Sequence, residues 1–126
     1  MRLLLDTHVF LWWRLDDPKL SIAARDVITN PVNVVHVSAA VGWEIAIKRA
    51  LGRLEFAGTV ADALAEEGFG ALDIRMSHTD RLSALPTLHR DPFDRIQIAQ
   101  AATESMTLVT HDPAILTYPG VSLLAV

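Results

Sequence analysis

The sequence predicts an α/β fold, a three-layer sandwich with a mainly parallel central sheet. Strand-like and helix-like segments alternate from end to end, and each strand segment is almost wholly apolar. Together these features describe a sheet covered on both faces, as parallel strands joined by helical crossovers require. A third observation sets the scale. The chain has 126 residues, 51% of them hydrophobic, and no repeat, low-complexity tract or linker. That amounts to one domain over residues 1–126, burying about two-thirds of its unfolded surface.

The elements follow in order. RLLLD at 2–6 is a short apolar strand that runs directly into THVFLWWRL, whose apolar spacing suits a helix. SIAARDVITN, opened by Ser21, reads as a second helix, and Asn30-Pro31 ends it. The β-branched stretch VNVVHVS is the next strand; Ser38 then caps a helix over AAVGWEIAIKRALG that closes at Gly52. RLEFAG is a loop or short extended segment, and TVADALAEEG is a helix. GALDI is expected as a strand and SHTDRLSAL as a helix from Ser77 to a stop at Pro86. In HRDPFDR, Asp91 is an N-cap with Pro92 at the first helical position, and the helix continues through IQIAQAATES. TLVT is a strand, Asp112-Pro113 starts a short helix, and VSLLAV is the last strand.

Composition excludes several classes. The apolar runs, LLL and FLWW among them, fall far short of the roughly 20 residues of a membrane span. The N-terminus enters a strand at once, without the pattern of a secretion signal, so a cytoplasmic location is expected. With no cysteine there is neither disulfide nor thiolate metal site, and any metal must be held by oxygen or imidazole. The net charge of −4 argues against a general nucleic-acid coat. It leaves room for a nucleic-acid enzyme, because divalent ions among some of the 15 acids would reverse the local polarity.

Ligands of such sheets gather at the carboxyl ends of the strands. Asp6 stands directly after LLL, Asp112 just after TLVT, and Glu44 in the second turn of the helix after VNVVHV. Asp94, in the first turn of the helix before TLVT, depends on how that helix crosses the sheet. Most of these acids also have an ordinary reading. Asp6 and Asp112 fit helix caps, and Asp91 is the best cap of all. Glu44 is harder to dismiss: it lies too deep for a capping box, between Trp43 and Ile45, and its one plain role is an i,i+4 pair with Lys48 worth about 0.3 kcal/mol.

Taken in order, LLLDTHVFLWW, SAAVGWEIAIK, HRDPFDRIQIAQA and LVTHD resemble the PIN domain family, and within it the VapC-type toxins of bacterial toxin–antitoxin pairs. The resemblance spans most of the chain. It implies a metal-dependent endoribonuclease that cleaves RNA phosphodiester bonds, with Asp6, Glu44, Asp94 and Asp112 as the metal-holding catalytic acids. Magnesium, with manganese as the second candidate, suits a site built of carboxylates, water and substrate phosphate. Asp91 is a candidate fifth acid whose capping role already accounts for it. Thr7 and Thr110 match polar positions beside the first and last acids, and Arg95 is a candidate contact for RNA phosphate. The resemblance further implies a cognate VapB-type antitoxin and a homodimer. One departure is Gly42, where many relatives carry a side chain; it costs about 1 kcal/mol of helix propensity and leaves the acids untouched.

Arg90, Lys48, Arg49 and Arg53 are further basic positions near these motifs, while helix-end Arg49 and Arg53 equally suit the negative end of a helix dipole. His8, His36, His78 and His89 share no metal-ligand spacing and read as surface or capping residues, and His111 is assigned no role. Of Trp12 and Trp13, one is expected in the core and the other exposed to a partner. A phosphorelay receiver also collects acids at strand ends but needs a late lysine, and this chain has only Lys19 and Lys48. The remaining alternative is a non-catalytic PIN-like module that binds RNA or protein, which the full set of four acids disfavours.

Overall fold

The computed structural model describes residues 1–126. Five strands, β1 (Arg2–Leu5), β2 (Val34–Ser38), β3 (Gly70–Leu72), β4 (Thr107–Thr110) and β5 (Ser122–Ala125), form one sheet in the order β3-β2-β1-β4-β5. Every pairing is parallel. Six helices surround it: α1 (Thr7–Arg14), α2 (Ile22–Thr29), α3 (Ala39–Ala50), α4 (Val60–Glu67), α5 (Met76–Leu82) and α6 (Pro92–Glu104). The chain therefore winds outward from β1 through β2 to β3, then crosses back to β4 and β5. That reversal at β1 is where ligands collect in open α/β sheets.

The LLL run explains the layering. Leu3 and Leu5 join Val35, Val37 and Val109 in a core of 15 buried residues shared with the helices of one face. Leu4, between them, points the other way into a second core with Leu108, Ile98, Ala101, Met106, Ile115 and Tyr118. Alternate residues of a strand face opposite layers, so only a continuous apolar run can bury both. Six consecutive residues of α6, Ile96 through Ala101, are buried, which holds this helix firmly against its surroundings.

The expected caps are in place. Asp6, Ser21, Ser38, Thr59 and Asp91 each accept a main-chain N–H at the start of a helix. Gly68 closes α4 at φ 73°, a conformation glycine adopts without strain.

Three boundaries differ from expectation. The helix read from Ser77 to Pro86 is α5, which begins at Met76 and ends at Leu82. Its start is drawn upstream by His78, whose Nδ1 accepts the Arg75 N–H at 2.9 Å; beyond Leu82 the chain continues in i,i+3 turns through Leu85. GALDI pairs only over Gly70–Leu72. After Asp112-Pro113 there is a single 3₁₀ turn, Ile115–Thr117, preceded by an Asx turn in which Asp112 Oδ1 accepts the Ala114 N–H at 2.9 Å. No helix is long and apolar enough to cross a membrane.

Gly70 has a packing reason to be glycine, because a Cβ there would stand 2.8 Å from Cδ2 of the His36 ring on β2. Gly70→Ala is expected to destabilise the fold by about 1–2 kcal/mol. Urea unfolding of the single variant and of Gly70→Ala/His36→Ala checks the cause, since removing the ring should recover most of the loss.

Candidate functional site

The four acids singled out from sequence arrive at one end of the sheet for separate topological reasons. Asp6 leaves β1, Asp112 follows β4 by two residues, and Glu44 sits in the second turn after β2, on the other side of β1. Asp94 reaches the same end because α6 runs back across the sheet before β4 begins. Its first turn must therefore lie over the strand carboxyl ends.

Asp6 is buried, at 3% exposure. Its Oδ1 accepts the Val9 N–H at 2.8 Å, and its Oδ2 accepts the Thr110 hydroxyl. Burial pushes its carboxyl above the usual carboxylate range, against the pull of those two hydrogen bonds. The Thr110 hydroxyl also accepts the Asp112 N–H at 3.1 Å, so one side chain ties the first acid to the last. Glu44, equally buried, accepts the Thr7 hydroxyl at 2.6 Å and pairs with Lys48 Nζ at 2.7 Å. Thr110 thus touches the last acid, with which it was matched, and the first as well, whereas Thr7, matched with the first, bonds Glu44 instead. Asp6 caps α1 through Oδ1 and also lines a cleft with Asp112, so its capping does not exclude the site role read from sequence.

Asp94 is strongly perturbed as well. Burial, reinforced by the charges of Asp91, Asp6 and Glu44 and opposed by His89, pushes its carboxyl up to about 7. Asp91 is the α6 cap expected from sequence, its Oδ1 accepting the N–H of Phe93 at 2.8 Å and of Asp94 at 3.2 Å.

His89 was not anticipated. Its Nε2 lies 2.9 Å from Asp94 Oδ2 and 2.9 Å from Asp112 Oδ2, bridging the two acids. The ring is oriented on its far side by the Asp91 N–H, 3.3 Å from Nδ1, and the main-chain N–H of His89 donates to Tyr118 Oη at 2.8 Å. With Nδ1 accepting, Nε2 carries the hydrogen and presents a donor to the carboxylates. His89, Asp94 and Asp112 each place one ligand atom within 4.8 Å of the others, so the tautomer with its hydrogen on Nδ1 would offer Nε2 as a nitrogen ligand beside the carboxylate oxygens. The signal in the sequence was its place two residues before the Asp91 cap. Metal-ligand spacing, the test applied to it, says nothing about a bridge completed 23 residues later at Asp112.

Arg95 is placed elsewhere. Its guanidinium donates to the carbonyls of Pro86 and Leu82 at 3.0 and 3.4 Å and to Tyr118 Oη at 3.3 Å, anchoring the segment between α5 and α6. Arg95→Ala should therefore lower thermal stability by about 1 kcal/mol, the net worth of such hydrogen bonds where water can replace part of them. A melting curve that matches the parent protein would contradict this structural role. Arg49 donates to the Gly58 carbonyl, and Lys48 is held by Glu44. Trp12 and Trp13 both pack partly buried against the larger core, and it is Trp43 on α3 that is 60% exposed. His78 is fully buried, capping α5 and contacting Glu104 at 2.8 Å.

An open cleft of about 240 Å³ adjoins the acids, lined by Asp6, His8, Trp12, His111, Asp112 and Pro113. The molecule is thus an all-parallel α/β sandwich with a carboxylate pocket at its topological switch point, whose donor set is almost entirely oxygen and suits a hard divalent cation. Comparison with known proteins narrows that class. The sequence profile of the PIN domain matches residues 3–120. Ribonuclease VapC22 of Mycobacterium tuberculosis is 33% identical over 113 residues, covering 86% of this chain and 85% of the relative. In three dimensions the chain resembles VapBC2 from Rickettsia felis, bound to a DNA fragment from its promoter (TM-score 0.69, 17% identity, 99% and 98% of the two chains). It likewise resembles DNA-bound VapBC from Salmonella typhimurium (TM-score 0.68, 15% identity, the same coverage). The chain belongs to the PIN domain family and is of the VapC type.

Proposed function

We propose that this protein is a divalent-metal-dependent endoribonuclease, the toxin of a toxin–antitoxin pair, with Asp6, Glu44, Asp94 and Asp112 as its metal-holding acids. One observation carries the reading: carboxylates from four separate parts of the chain share a partly buried pocket in which Asp94 resists ionisation up to about pH 7. A protein selected for stability alone gains little from such a cluster, whereas a bound cation removes its cost. The carboxylate oxygens fit Mg²⁺ or Mn²⁺, and neither ion is singled out by them. When bound, such an ion supplies an activated water for attack on phosphorus and stabilises charge on the leaving oxygen.

The chain's own residues prepare that chemistry. Thr110 holds Asp6 and, through the Asp112 N–H, sets the start of the turn that carries Asp112. Thr7 orients Glu44, and the Asp91 cap fixes the first turn of α6 from which Asp94 projects. His89 donates a hydrogen bond to Asp112 with Asp94 2.9 Å from the same nitrogen, which keeps the two acids converged. RNA as substrate is supported by the ribonuclease relative, and a VapB-type antitoxin by the VapBC complexes that share the fold. A homodimer of this chain belongs to the same reading.

The test is cleavage of RNA by the purified protein with Mg²⁺ or Mn²⁺, with chelation by EDTA as the control. Cleavage that stops on chelation supports the proposal; cleavage indifferent to chelation, or none with either ion, overturns it and leaves a non-catalytic binding module. Mapping the RNA ends produced on induced expression, against a Glu44→Gln control, identifies the target.

A further inference from the structure

We infer that the cleft beside the acids is a stacking subsite for one unpaired nucleobase, with Trp12 as its platform. The inference deepens the nuclease reading, on which its link to RNA rests.

Trp12 and Trp13 are neighbours on α1 with different surroundings. Trp13 donates its indole N–H to Glu67 at 2.8 Å and lies 6.1 Å from the Phe69 ring, so both its polar and its apolar parts are engaged inside the fold. Trp12 packs part of its body on the core and turns the rest to the cleft. Two imidazoles flank it there. The His111 ring sits edge-on with centroids 5.2 Å apart, and the His8 ring is tilted at 6.0 Å. Both histidines are exposed. His111 is not free to wander, because its Nδ1 is 2.8 Å from a main-chain oxygen of Val126, leaving Nε2 as an acceptor on the open side.

A core position needs only an apolar body of suitable size. It does not need three ring systems arranged around open space at a strand end, directly beside Asp6 and Asp112.

The chemistry of the cleft selects its occupant. The two carboxylates on its floor disfavour an anionic group inside it, so the phosphate belongs with the acids and their cation, outside this recess. A neutral planar ring gains from the indole face, and its edge can meet the imidazole nitrogens. At about 240 Å³ the cleft has room for a single heterocycle and too little for a helix or a folded segment. A base one linkage away from the phosphodiester meets both requirements. A paired base is already stacked on its neighbours and cannot turn into a recess, so the substrate presented here is single-stranded.

The test begins with neutral ligands, which need no metal. In a Trp13→Phe/Trp43→Phe protein, Trp12 is the sole tryptophan, and its fluorescence is titrated with nucleosides and with ribose. In the unmodified chain the shift of the Trp12 indole N–H resonance serves the same purpose. Saturable quenching or shift by nucleosides and not by ribose is expected. Nucleosides without effect on either signal overturn the inference. The second arm is cleavage of a single-stranded oligoribonucleotide by Trp12→Leu and Trp12→Phe. Loss of the platform should raise KM about tenfold with kcat within about threefold, and the aromatic replacement should recover most of it. An unchanged KM in Trp12→Leu, with only the hold of an inhibitory protein partner weakened, would assign the cleft to that partner instead. If nucleosides bind and no RNA is cut by the parent protein, the stacking site stands and the nuclease proposal fails; if RNA is cut and nucleosides do not bind, the reverse holds.

Discussion

Glu44→Gln is expected to lower RNA cleavage by at least about 10³-fold while the fold survives. Amide for carboxylate preserves shape, and the amide oxygen can still accept the Thr7 hydroxyl now 2.6 Å from Glu44. What disappears is one negative charge at the proposed cation site. A metal ligand supplies several kcal/mol of charge stabilisation, and about 4 kcal/mol corresponds to about a thousandfold in rate. Lys48 loses its partner but is about a third exposed, so it can turn to water. Asp6→Asn should behave alike, since asparagine caps helices as well as aspartate does. Asp6→Ala should in addition lose about 1 kcal/mol of stability, because it deletes the acceptor for the Val9 N–H. Initial rates of RNA cleavage, with circular dichroism of each variant, check these outcomes; full activity in Glu44→Gln or Asp6→Asn would remove the residue from the site.

Asp94→Asn should abolish cleavage too, yet make the metal-free protein more stable at neutral pH. The sign follows from proton linkage. The Asp94 carboxyl is raised from an ordinary 3.8 to about 7 in the fold, so between those values the folded chain holds a proton that the unfolded chain has released. Its contribution is therefore most favourable below about pH 4, falls as pH rises through 7, and stays low above that. Asp6, also raised by burial, acts in the same direction. Asparagine removes the Asp94 part while keeping nearly the same shape. The stability gap between variant and parent should open from about pH 4 to 7 and reach about 1–3 kcal/mol, or about 3–10 °C in melting temperature. Saturating Mg²⁺ should close most of it by stabilising the parent through mass action. Denaturant titrations at several pH values, with and without the ion, measure this; a gap independent of pH would mean that Asp94 does not carry the charge conflict.

Both experiments probe residues that sequence had already separated from ordinary caps. Glu44 stood out because its one plain local role, an i,i+4 pair with Lys48, is a weak reason for an acid between Trp43 and Ile45 in the second turn of a helix. That pair forms, and the structure adds Thr7. Asp91 was read as a cap, and it caps. His89 and Arg95 make contacts that sequence did not indicate, for the same reason. His89 bridges acids on α6 and beyond β4, and Arg95 reaches carbonyls 9 and 13 residues upstream and the Tyr118 hydroxyl 23 residues downstream. Side chains of that reach are positioned by loops, and the loop between α5 and α6 has no periodicity from which its path follows.

What the amino-acid sequence by itself determined was the alternation of elements, the double-sided burial of the sheet and most helix starts. These depend on hydrophobic period and on caps that act within four residues, so they are written locally. The tertiary structure alone decided that Asp94 reaches the same strand ends as Asp6, that Thr110 binds Asp6 across 104 positions, and that His89 closes the pocket between two carboxylates. Those contacts depend on where helices cross a sheet and on which strands become neighbours. That is settled only when all the apolar surfaces are buried together.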